Sequence, residues 1–227
     1  MVAAILCIDF DDTIVLDNTS RQVFERFAAP GWQDLEAAYQ RGEMTVEQYN
    51  AAAFATVEAA GEEIVAFVRS VARPRAGLPE LNAWAARHGW LVSVVSNGLD
   101  LCADPVLDDL GLDRVARHCG RTSCGYRWRV TYLSPRGVEL QQGFKLAYAS
   151  TYRQAGDFVV YVGDGASDVA AARLAGAVFA RDTLWRELED QHPRIYPFET
   201  FHDVAAVLER EAGEWLASFS STTAGAG

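Results

Sequence analysis

Two carboxylates follow an apolar run near the start of the chain. Residues 5–8 are apolar, and Asp9 and Asp11 stand in the next three positions, before Asp12 and Thr13. Such a run predicts a strand that is buried on both faces. Because Asp9 and Asp11 are two residues apart, their side chains project to the same side of an extended backbone. Their mutual repulsion predicts a bound cation or proton, although Asp is also common in ordinary turns.

Three further polar clusters follow apolar strands or open helices later in the chain. They are Ser96-Asn97-Gly98, Lys145, and the segment from Gly163 through Asp164 to Asp168. Each has an ordinary explanation: a helix cap, a solvated surface lysine, or a turn. In an open α/β sheet, ligands bind beyond the carboxyl ends of the strands. The joint occurrence of four clusters at such positions therefore predicts one site.

The side chains of these clusters divide into two chemical sets. One set consists of carboxylates, whose hard oxygens suit Mg²⁺: Asp9, Asp11, Asp164 and Asp168. The other set offers an ammonium, hydroxyls and the backbone N–H groups of an expected helix start, which favour an anion: Lys145, Thr13, Ser96, Asn97 and Gly98. A cation facing an ammonium forms a clamp for a phosphoryl group, whose transfer needs mainly positioning and charge neutralisation.

Two neighbouring carboxylates allow a two-step displacement at phosphorus. One attacks phosphorus as the nucleophile. The second, two residues further on, protonates the leaving oxygen and later activates water.

The remaining pattern predicts the elements that must position these groups. Strands that alternate with helices predict an α/β fold with a doubly wound, Rossmann-like parallel sheet. Residues 16–76 lack a strand pattern and predict a small all-helical cap inserted after the first strand. The α/β core would then comprise 1–15 and 77–217, with a β-hairpin at about 121–142. The last packed helix is expected over 201–210, and 218–227 are expected to form a disordered tail.

The expected cap is the natural place for substrate specificity, because it can close over the site and exclude water. A capping box at Thr45–Gln48 predicts the start of one of its helices. Polar residues near the start of the cap are candidates for contact with the leaving group, the alternative being a solvated helix face: Asp17, Asn18, Arg21 and Gln22.

The amino-acid composition of the chain restricts the classes of binding partner. The net charge of −11 over 227 residues argues against a nucleic-acid surface, which needs clustered Lys and Arg. No apolar run is long enough to span a bilayer, and the N-terminus does not resemble a signal peptide. Four scattered cysteines suit a reducing cytoplasm, and Cys119 with Cys124 lacks a second pair for a metal site. We expect a cytoplasmic monomer or homodimer that acts on a small molecule.

The four clusters, in chain order, resemble the four motifs of the haloacid dehalogenase (HAD) superfamily phosphatases. The matching segments are Asp9-Phe10-Asp11-Asp12-Thr13, Ser96, Lys145 and Gly163-Asp164-Gly165-Ala166-Ser167-Asp168. The helical insertion after the first motif is similar to the small helical cap of that superfamily. The resemblance therefore implies a Mg²⁺-dependent phosphoric monoester hydrolase that forms a phosphoaspartate.

The resemblance also implies a role for each motif residue. Asp9 is the expected nucleophile and a Mg²⁺ ligand, and Asp11 is the expected general acid and base, with its backbone carbonyl on Mg²⁺. Asp164 is an expected Mg²⁺ ligand and Asp168 is expected to support the metal site. Three residues are expected to hold the phosphate: Thr13, Ser96 and Lys145. Asp12 stands where Gly is often found and has no assigned role.

Within the superfamily, the chain is similar to the phosphoserine-phosphatase-like subfamily IB, above all to the methionine-salvage 2-hydroxy-3-keto-5-methylthiopentenyl-1-phosphate phosphatases. The segments 28–32, 41–49 and 179–184 carry this likeness. The chain differs in Ser96-Asn97-Gly98, where that group commonly has Ser-Gly-Gly. Phosphoserine phosphatases usually have two acidic residues in place of Asp17-Asn18. Hydrolysis of phosphoserine, or of another amino-alcohol or cofactor phosphate, stays open.

Three other classes of function share part of this set of residues. A phosphotransferase would use the same first half-reaction and pass the phosphoryl group to an alcohol. A receiver-like phospho-acceptor also combines an acidic cluster with Thr or Ser and Lys, but its phosphorylated Asp normally lies on a later strand and it has no helical cap. A catalytically inactive interaction protein is disfavoured, because every motif residue is present.

Overall fold

A mixed eight-stranded sheet forms the centre of the fold, within the residues 3–224 that the computed structural model describes. In space, the strands follow the order β5-β4-β3-β2-β1-β6-β7-β8. Their bounds are β1 Ala4–Ile8, β2 Trp90–Leu99, β3 Ala116–Cys124, β4 Trp128–Leu133, β5 Glu139–Leu140, β6 Phe158–Gly163, β7 Ala177–Ala180 and β8 Ile195–Pro197.

Ten α-helices accompany the sheet in the described part of the chain. Their bounds are α1 Thr19–Phe27, α2 Trp32–Gln40, α3 Val46–Phe54, α4 Gly61–Val71, α5 Leu78–Arg87, α6 Asp100–Asp109, α7 Phe144–Gln154, α8 Val169–Ala172, α9 Asp182–Leu188 and α10 Phe201–Ala224. A 3₁₀ turn over Ala166–Asp168 precedes α8. Within 3–224, no helix has the length and apolar character needed to cross a membrane.

The first strand lies in the middle of the sheet and pairs in parallel with β2 and β6. Every residue of β1, β6 and β7 is buried, as expected for strands that are covered on both faces. Ile8 stands beside Val94 and Val162, so three strands run toward the same edge. The predicted α/β fold is confirmed, and the sheet brings the motif segments together at one edge.

The far end of the sheet is antiparallel and lies where the hairpin at about 121–142 was predicted. Strand β3 pairs in parallel with β2, but β4 pairs antiparallel with β3, and β5 with β4. The expected hairpin is therefore a three-stranded meander. Tyr126, within the segment of the predicted hairpin, lies in the β3–β4 turn and is fully exposed. Only Cys119 and Gly120 of β3 are buried, and most of its other residues are polar. The sequence of β3 therefore lacks the pattern that predicts a strand.

Four helices, α1 to α4, form the insertion between β1 and α5. Their packing centres on Phe24, whose ring contacts Trp32, Tyr49 and Phe54. The predicted capping box is present: the Thr45 side chain accepts a hydrogen bond from the Gln48 N–H, and the Gln48 side chain accepts one from the Thr45 N–H. A division into a core and a cap at residues 16–76 remains a proposal.

The C-terminal helix is longer than predicted. It continues beyond residue 210 to Ala224, so the expected disordered tail is wrong for 218–224, and 225–227 lie outside the described residues. Trp215 explains the extension, because its buried ring packs near Phe158 of β6 and Tyr196 of β8. The Ser- and Thr-rich composition of this segment suggested disorder, but packing of one aromatic face on the sheet stabilises the helix.

Replacing Trp215 tests this packing. Because the ring is 4% exposed, W215A should lower the free energy of unfolding by about 3–5 kcal/mol in a denaturant titration. The neighbouring exposed Glu214 provides the control, and E214A should change that free energy by less than about 0.5 kcal/mol. Equal, small effects of both substitutions would contradict a packed C-terminal helix.

Candidate active site

A cavity of about 550 Å³ opens at the edge where β1, β2 and β6 end. Side chains from the four predicted motifs and from the insertion line it together. The motif residues in its wall are Asp9, Asp11, Asp12, Ser96, Asn97, Gly98, Lys145, Asp164, Gly165, Ala166 and Ser167. Residues of the insertion that were expected to contact a leaving group also line it: Asp17, Asn18, Arg21 and Gln22.

A buried ion cluster lies at the base of the cavity. The Lys145 Nζ is 2.9 Å from Asp9 Oδ1 and 2.7 Å from Asp168 Oδ1, and it donates to Ser167 Oγ at 3.1 Å. Burial alone would lower the pKa of Lys145, but the negative charges of Asp168 and Asp9 outweigh it and raise that pKa. Lys145 is therefore held as a cation, and it fixes the position of two carboxylates.

Asp168 is buried and completely satisfied by hydrogen bonds. Its Oδ1 accepts from the Tyr161 hydroxyl and from Lys145, each at 2.7 Å. Its Oδ2 accepts from the backbone N–H groups of Asp164 and Gly165 at 3.2 and 2.8 Å. Asp168 thus braces the loop that carries Asp164.

The carboxylates fit a hard divalent cation. One oxygen from each of Asp9, Asp164 and Asp168 lies within 4.8 Å of the others. Asp9 Oδ1 is buried and has no hydrogen bond of suitable geometry in the described residues, although the Lys145 ammonium is near. Burial raises the pKa of Asp9 well above its usual value and, with the charge of Asp168, raises the pKa of Asp164 to about 7. A bound cation would relieve both groups.

Asp11 lies on the other side of the site, where polar groups of α1 hold both its oxygens. Its Oδ1 accepts from the Thr19 N–H at 2.8 Å and from the Thr19 hydroxyl at 2.6 Å, and its Oδ2 accepts from the Ser20 hydroxyl at 3.1 Å. Burial raises the pKa of Asp11, whereas these hydrogen bonds lower it and leave a net increase. Thr19 and Ser20 are not among the predicted site residues, so sequence reasoning missed their contact with Asp11.

The Ser96-Asn97-Gly98 segment differs from its prediction in one respect. These residues lie within β2, and α6 begins only at Asp100, so their N–H groups are not at a helix start. The Gly98 N–H donates to Ser96 Oγ at 3.0 Å. A Cβ atom on Gly98 would stand 2.8 Å from Asp11 Oδ2, so only glycine allows this close approach.

Thr13 contacts a predicted metal ligand. Its hydroxyl is fully buried and donates to Asp164 Oδ1 at 2.8 Å, and Thr13 does not line the cavity. Its side chain orients Asp164, and its contact with the phosphate stays a prediction. The preceding residue, Asp12, has a left-handed backbone with a φ of 60°. Arg75 holds this turn, because its guanidinium donates to the carbonyls of Asp12 and Thr13 at 2.8 and 2.7 Å.

The four residues that were predicted to contact the leaving group from the cap differ from one another in their contacts. Asp17 forms a two-pronged ion pair with Arg73, with N–O distances of 2.8 and 2.6 Å, so its charge is already compensated. Asn18 is the N-cap of α1 and accepts a hydrogen bond from the Arg21 N–H. Arg21 lies between two glutamates, and Gln22 lines the cavity.

Two further insertion residues, Glu47 and Asn50, contact the core segments that carry the site, and sequence reasoning did not single them out. Glu47 is buried, and its Oε1 accepts from the Phe144 N–H at 2.9 Å, beside Lys145. The Asn50 amide donates to the Asn97 carbonyl at 2.7 Å. Their polar types at buried positions of α3 were the only available signal. They connect the insertion to the two core segments that carry Lys145 and Ser96.

Removing the charge of Asp168 tests the ion cluster. D168N leaves Lys145 with one carboxylate and removes acceptors from two N–H groups, so it should lower the free energy of unfolding by about 3–5 kcal/mol. The exposed Asp113 supplies the control, and D113N should change it by less than about 0.5 kcal/mol. Denaturant unfolding of both variants gives the comparison. An unchanged stability of D168N would show that the cluster is not a structural centre.

Solved structures of phosphoserine phosphatases share this fold. One, described as a phospho-aspartyl intermediate analogue of phosphoserine phosphatase, aligns with a TM-score of 0.65 and 18% identity over 91% of this chain and 99% of its own. A second, a phosphoserine phosphatase from T. onnurineus, aligns with a TM-score of 0.62 and 13% identity over 91% and 94% of the two chains. At such identities the likeness establishes the fold alone.

Curated relatives are more similar in sequence. A 2-hydroxy-3-keto-5-methylthiopentenyl-1-phosphate phosphatase of Bacillus thuringiensis subsp. konkukian (strain 97-27) is 29% identical over 206 residues, which cover 88% of this chain and 94% of the relative. A protein of the same name from Bacillus mycoides (strain KBAB4) is 27% identical over the same length, with the same coverage. These named phosphatases support the predicted enzyme class, a phosphoric monoester hydrolase.

A family model covers most of the chain and every motif segment described above. The model, "haloacid dehalogenase-like hydrolase", matches residues 6–173, from within β1 to just past α8. The resemblance inferred from the four motifs is therefore confirmed, and the chain belongs to the haloacid dehalogenase-like hydrolases.

Proposed function

We propose that this chain is a Mg²⁺-dependent phosphomonoesterase that acts through an aspartyl-phosphate on Asp9. The observation that carries this proposal is the position of the Asp9 carboxylate and its contacts. Its buried carboxylate lines the cavity, and Lys145 holds it from one side. No hydrogen bond of suitable geometry reaches Asp9 Oδ1 within the described residues. A fixed carboxylate that lines the cavity beside an ammonium, where a bound cation would keep it ionised, is well prepared to act as a nucleophile.

In the first half-reaction, a carboxylate oxygen of Asp9 attacks phosphorus and the ester oxygen departs with its electron pair. Asp11 protonates that oxygen, and burial supports this role because it raises the pKa of Asp11. Thr19 and Ser20 restrict the orientation of Asp11 and keep it next to Ser96 and Gly98. Lys145 and Ser96 compensate the charge of the phosphoryl oxygens.

In the second half-reaction, water takes the place of the departed alcohol. Asp11, now ionised, removes a proton from this water, whose oxygen attacks phosphorus and releases Asp9 and inorganic phosphate. The proton that Asp11 takes from water returns it to its acidic form, so the cycle closes without any other proton carrier.

Asp9 and Asp164 would hold the Mg²⁺ directly, together with the Asp11 backbone carbonyl that the family resemblance implies. Asp168 would support the metal site rather than bind it, since four hydrogen bonds already occupy its oxygens. When bound, Mg²⁺ would neutralise charge on the phosphoryl oxygens and lower the pKa of nearby carboxylates.

The substrate that the relatives support is a methylthio-ketone phosphate of methionine salvage. Two relatives carry that activity in their names, and the chain covers 94% of each. Phosphoserine is the second candidate, on the basis of structural similarity alone. The insertion encloses the leaving-group end of the cavity in either case.

Phosphate release with and without Mg²⁺ tests this proposal. After chelation, the enzyme should release no phosphate from p-nitrophenyl phosphate or from a panel of sugar, amino-acid, enol, nucleotide and cofactor phosphates, and added Mg²⁺ should restore release. D164N should raise the Mg²⁺ concentration for half-maximal activity by at least about tenfold. The exposed Asp190 supplies the control, and D190N should leave this concentration unchanged.

Full activity after chelation would contradict the metal requirement, and no release from any compound would contradict the function. Within the panel, a dominant enol- or diketo-phosphate would support the methionine-salvage substrate. A dominant phosphoserine activity would support the second candidate.

A further inference from the structure

The leaving-group end of the cavity carries an excess of negative charge. Among the described residues that line the whole cavity, Arg21 and Lys145 are the only ones with a basic side chain. The Arg21 guanidinium lies 3.1 Å from a carboxylate oxygen of Glu25 and 3.5 Å from one of Glu36, and all three residues line the cavity. Two carboxylates against one guanidinium leave one net negative charge. We refer to these three residues as the acidic rim.

Among the described residues, the cavity wall offers no other cation to a second anionic group of a substrate. Lys145 lies in the buried ion cluster with Asp9 and Asp168. Arg73 contacts Asp17, which lines the cavity, but both oxygens of Asp17 engage its guanidinium. Asp12 adds a further carboxylate to the wall. A carboxylate or second phosphate on the leaving group would therefore meet like charges, without a partner to replace its water.

The cavity wall also contains an aromatic and apolar surface that suits an uncharged leaving group. The rings of Tyr39 and Tyr49 stack with centroids 5.3 Å apart and an interplanar angle of 7°, and both line the cavity. Phe24 stands edge-on to Tyr49 at 5.8 Å. Val46 also contributes to the wall. This surface suits an apolar or neutral chain of a few carbon atoms.

We propose that the acidic rim selects phosphate monoesters whose leaving group carries no anionic group, and rejects those that carry a carboxylate or a second phosphate. This inference rests on the proposed phosphatase function and narrows its substrate class. Rejection works by repulsion, a common way to obtain specificity. The hydroxy, keto and methylthio groups in the names of the Bacillus relatives are all uncharged, whereas phosphoserine carries a carboxylate.

Two matched pairs of substrates test the selection. Glycerol 3-phosphate and 3-phosphoglycerate differ in a hydroxymethyl group against a carboxylate, and phosphoethanolamine and phosphoserine differ by one added carboxylate. In both pairs, kcat/KM should be at least about tenfold higher for the member without the carboxylate. Raising the ionic strength should reduce this ratio, because Arg21 and Glu25 are half-exposed and salt screens their charges.

Variants of the acidic rim should change the ratio in a predictable direction. The double substitution E25Q/E36Q frees Arg21 and removes the net negative charge, so the preference against the carboxylate should fall by about tenfold. Adding R21A to this background should remove much of the gain for 3-phosphoglycerate. The control is E43Q, because Glu43 also pairs with an arginine on the insertion, Arg41, but does not line the cavity. It should leave the ratio unchanged.

The outcomes separate the inference from the function on which it rests. Hydrolysis of the members that lack the carboxylate, with equal kcat/KM for the carboxylate members, would overturn the inference and leave the phosphatase function intact. A ratio that E25Q/E36Q does not change would also overturn it. Failure to release phosphate from these four compounds and from every compound of the panel described above, p-nitrophenyl phosphate included, would overturn both.

Discussion

The buried contact of Lys145 with Asp9 and Asp168 is the interaction on which the site depends. Three charged groups that are almost completely removed from water are tolerable only because they compensate one another. The contact joins the end of β1, the start of α7 and the loop after β6, which are distant in the sequence. The same ammonium that makes this burial possible also stands where a phosphoryl group would need a positive charge. In the proposed mechanism, stability and chemistry thus use one set of side chains.

The insertion is connected to this centre by hydrogen bonds rather than by apolar packing alone. Glu47 accepts from the N–H of Phe144, next to Lys145, and Asn50 donates to the carbonyl of Asn97. Thr19 and Ser20, at the first turn of α1, hold Asp11. The position of the insertion and the orientation of the reacting carboxylates are therefore coupled. A substrate that fits the insertion poorly would also meet a less well ordered reaction centre.

Much of the site could be predicted because parallel strands end at a common edge, which gathers Asp9, Ser96 and Asp164 whatever the details of the loops. Contacts that depend on a side-chain rotamer could not be predicted, and the Thr13 hydroxyl, which donates to Asp164, is the clearest case. The strand β3 was missed because its residues are mostly polar and partly exposed, and its pairing with β2 outweighs its weak intrinsic preference. The end of α10 was missed because the contact of Trp215 with β6 is not visible in local composition.

Trapping the phosphoryl group on the enzyme tests the central claim most directly. The enzyme is mixed with substrate and Mg²⁺, quenched with acid during turnover and reduced with borohydride, which converts an aspartyl-phosphate into homoserine. Peptide mass spectrometry should then find homoserine at position 9, in an amount that rises when D11N slows hydrolysis of the intermediate, and D9N should show none. Homoserine at another aspartate, or steady turnover of D9N, would contradict the assignment of Asp9 as the nucleophile.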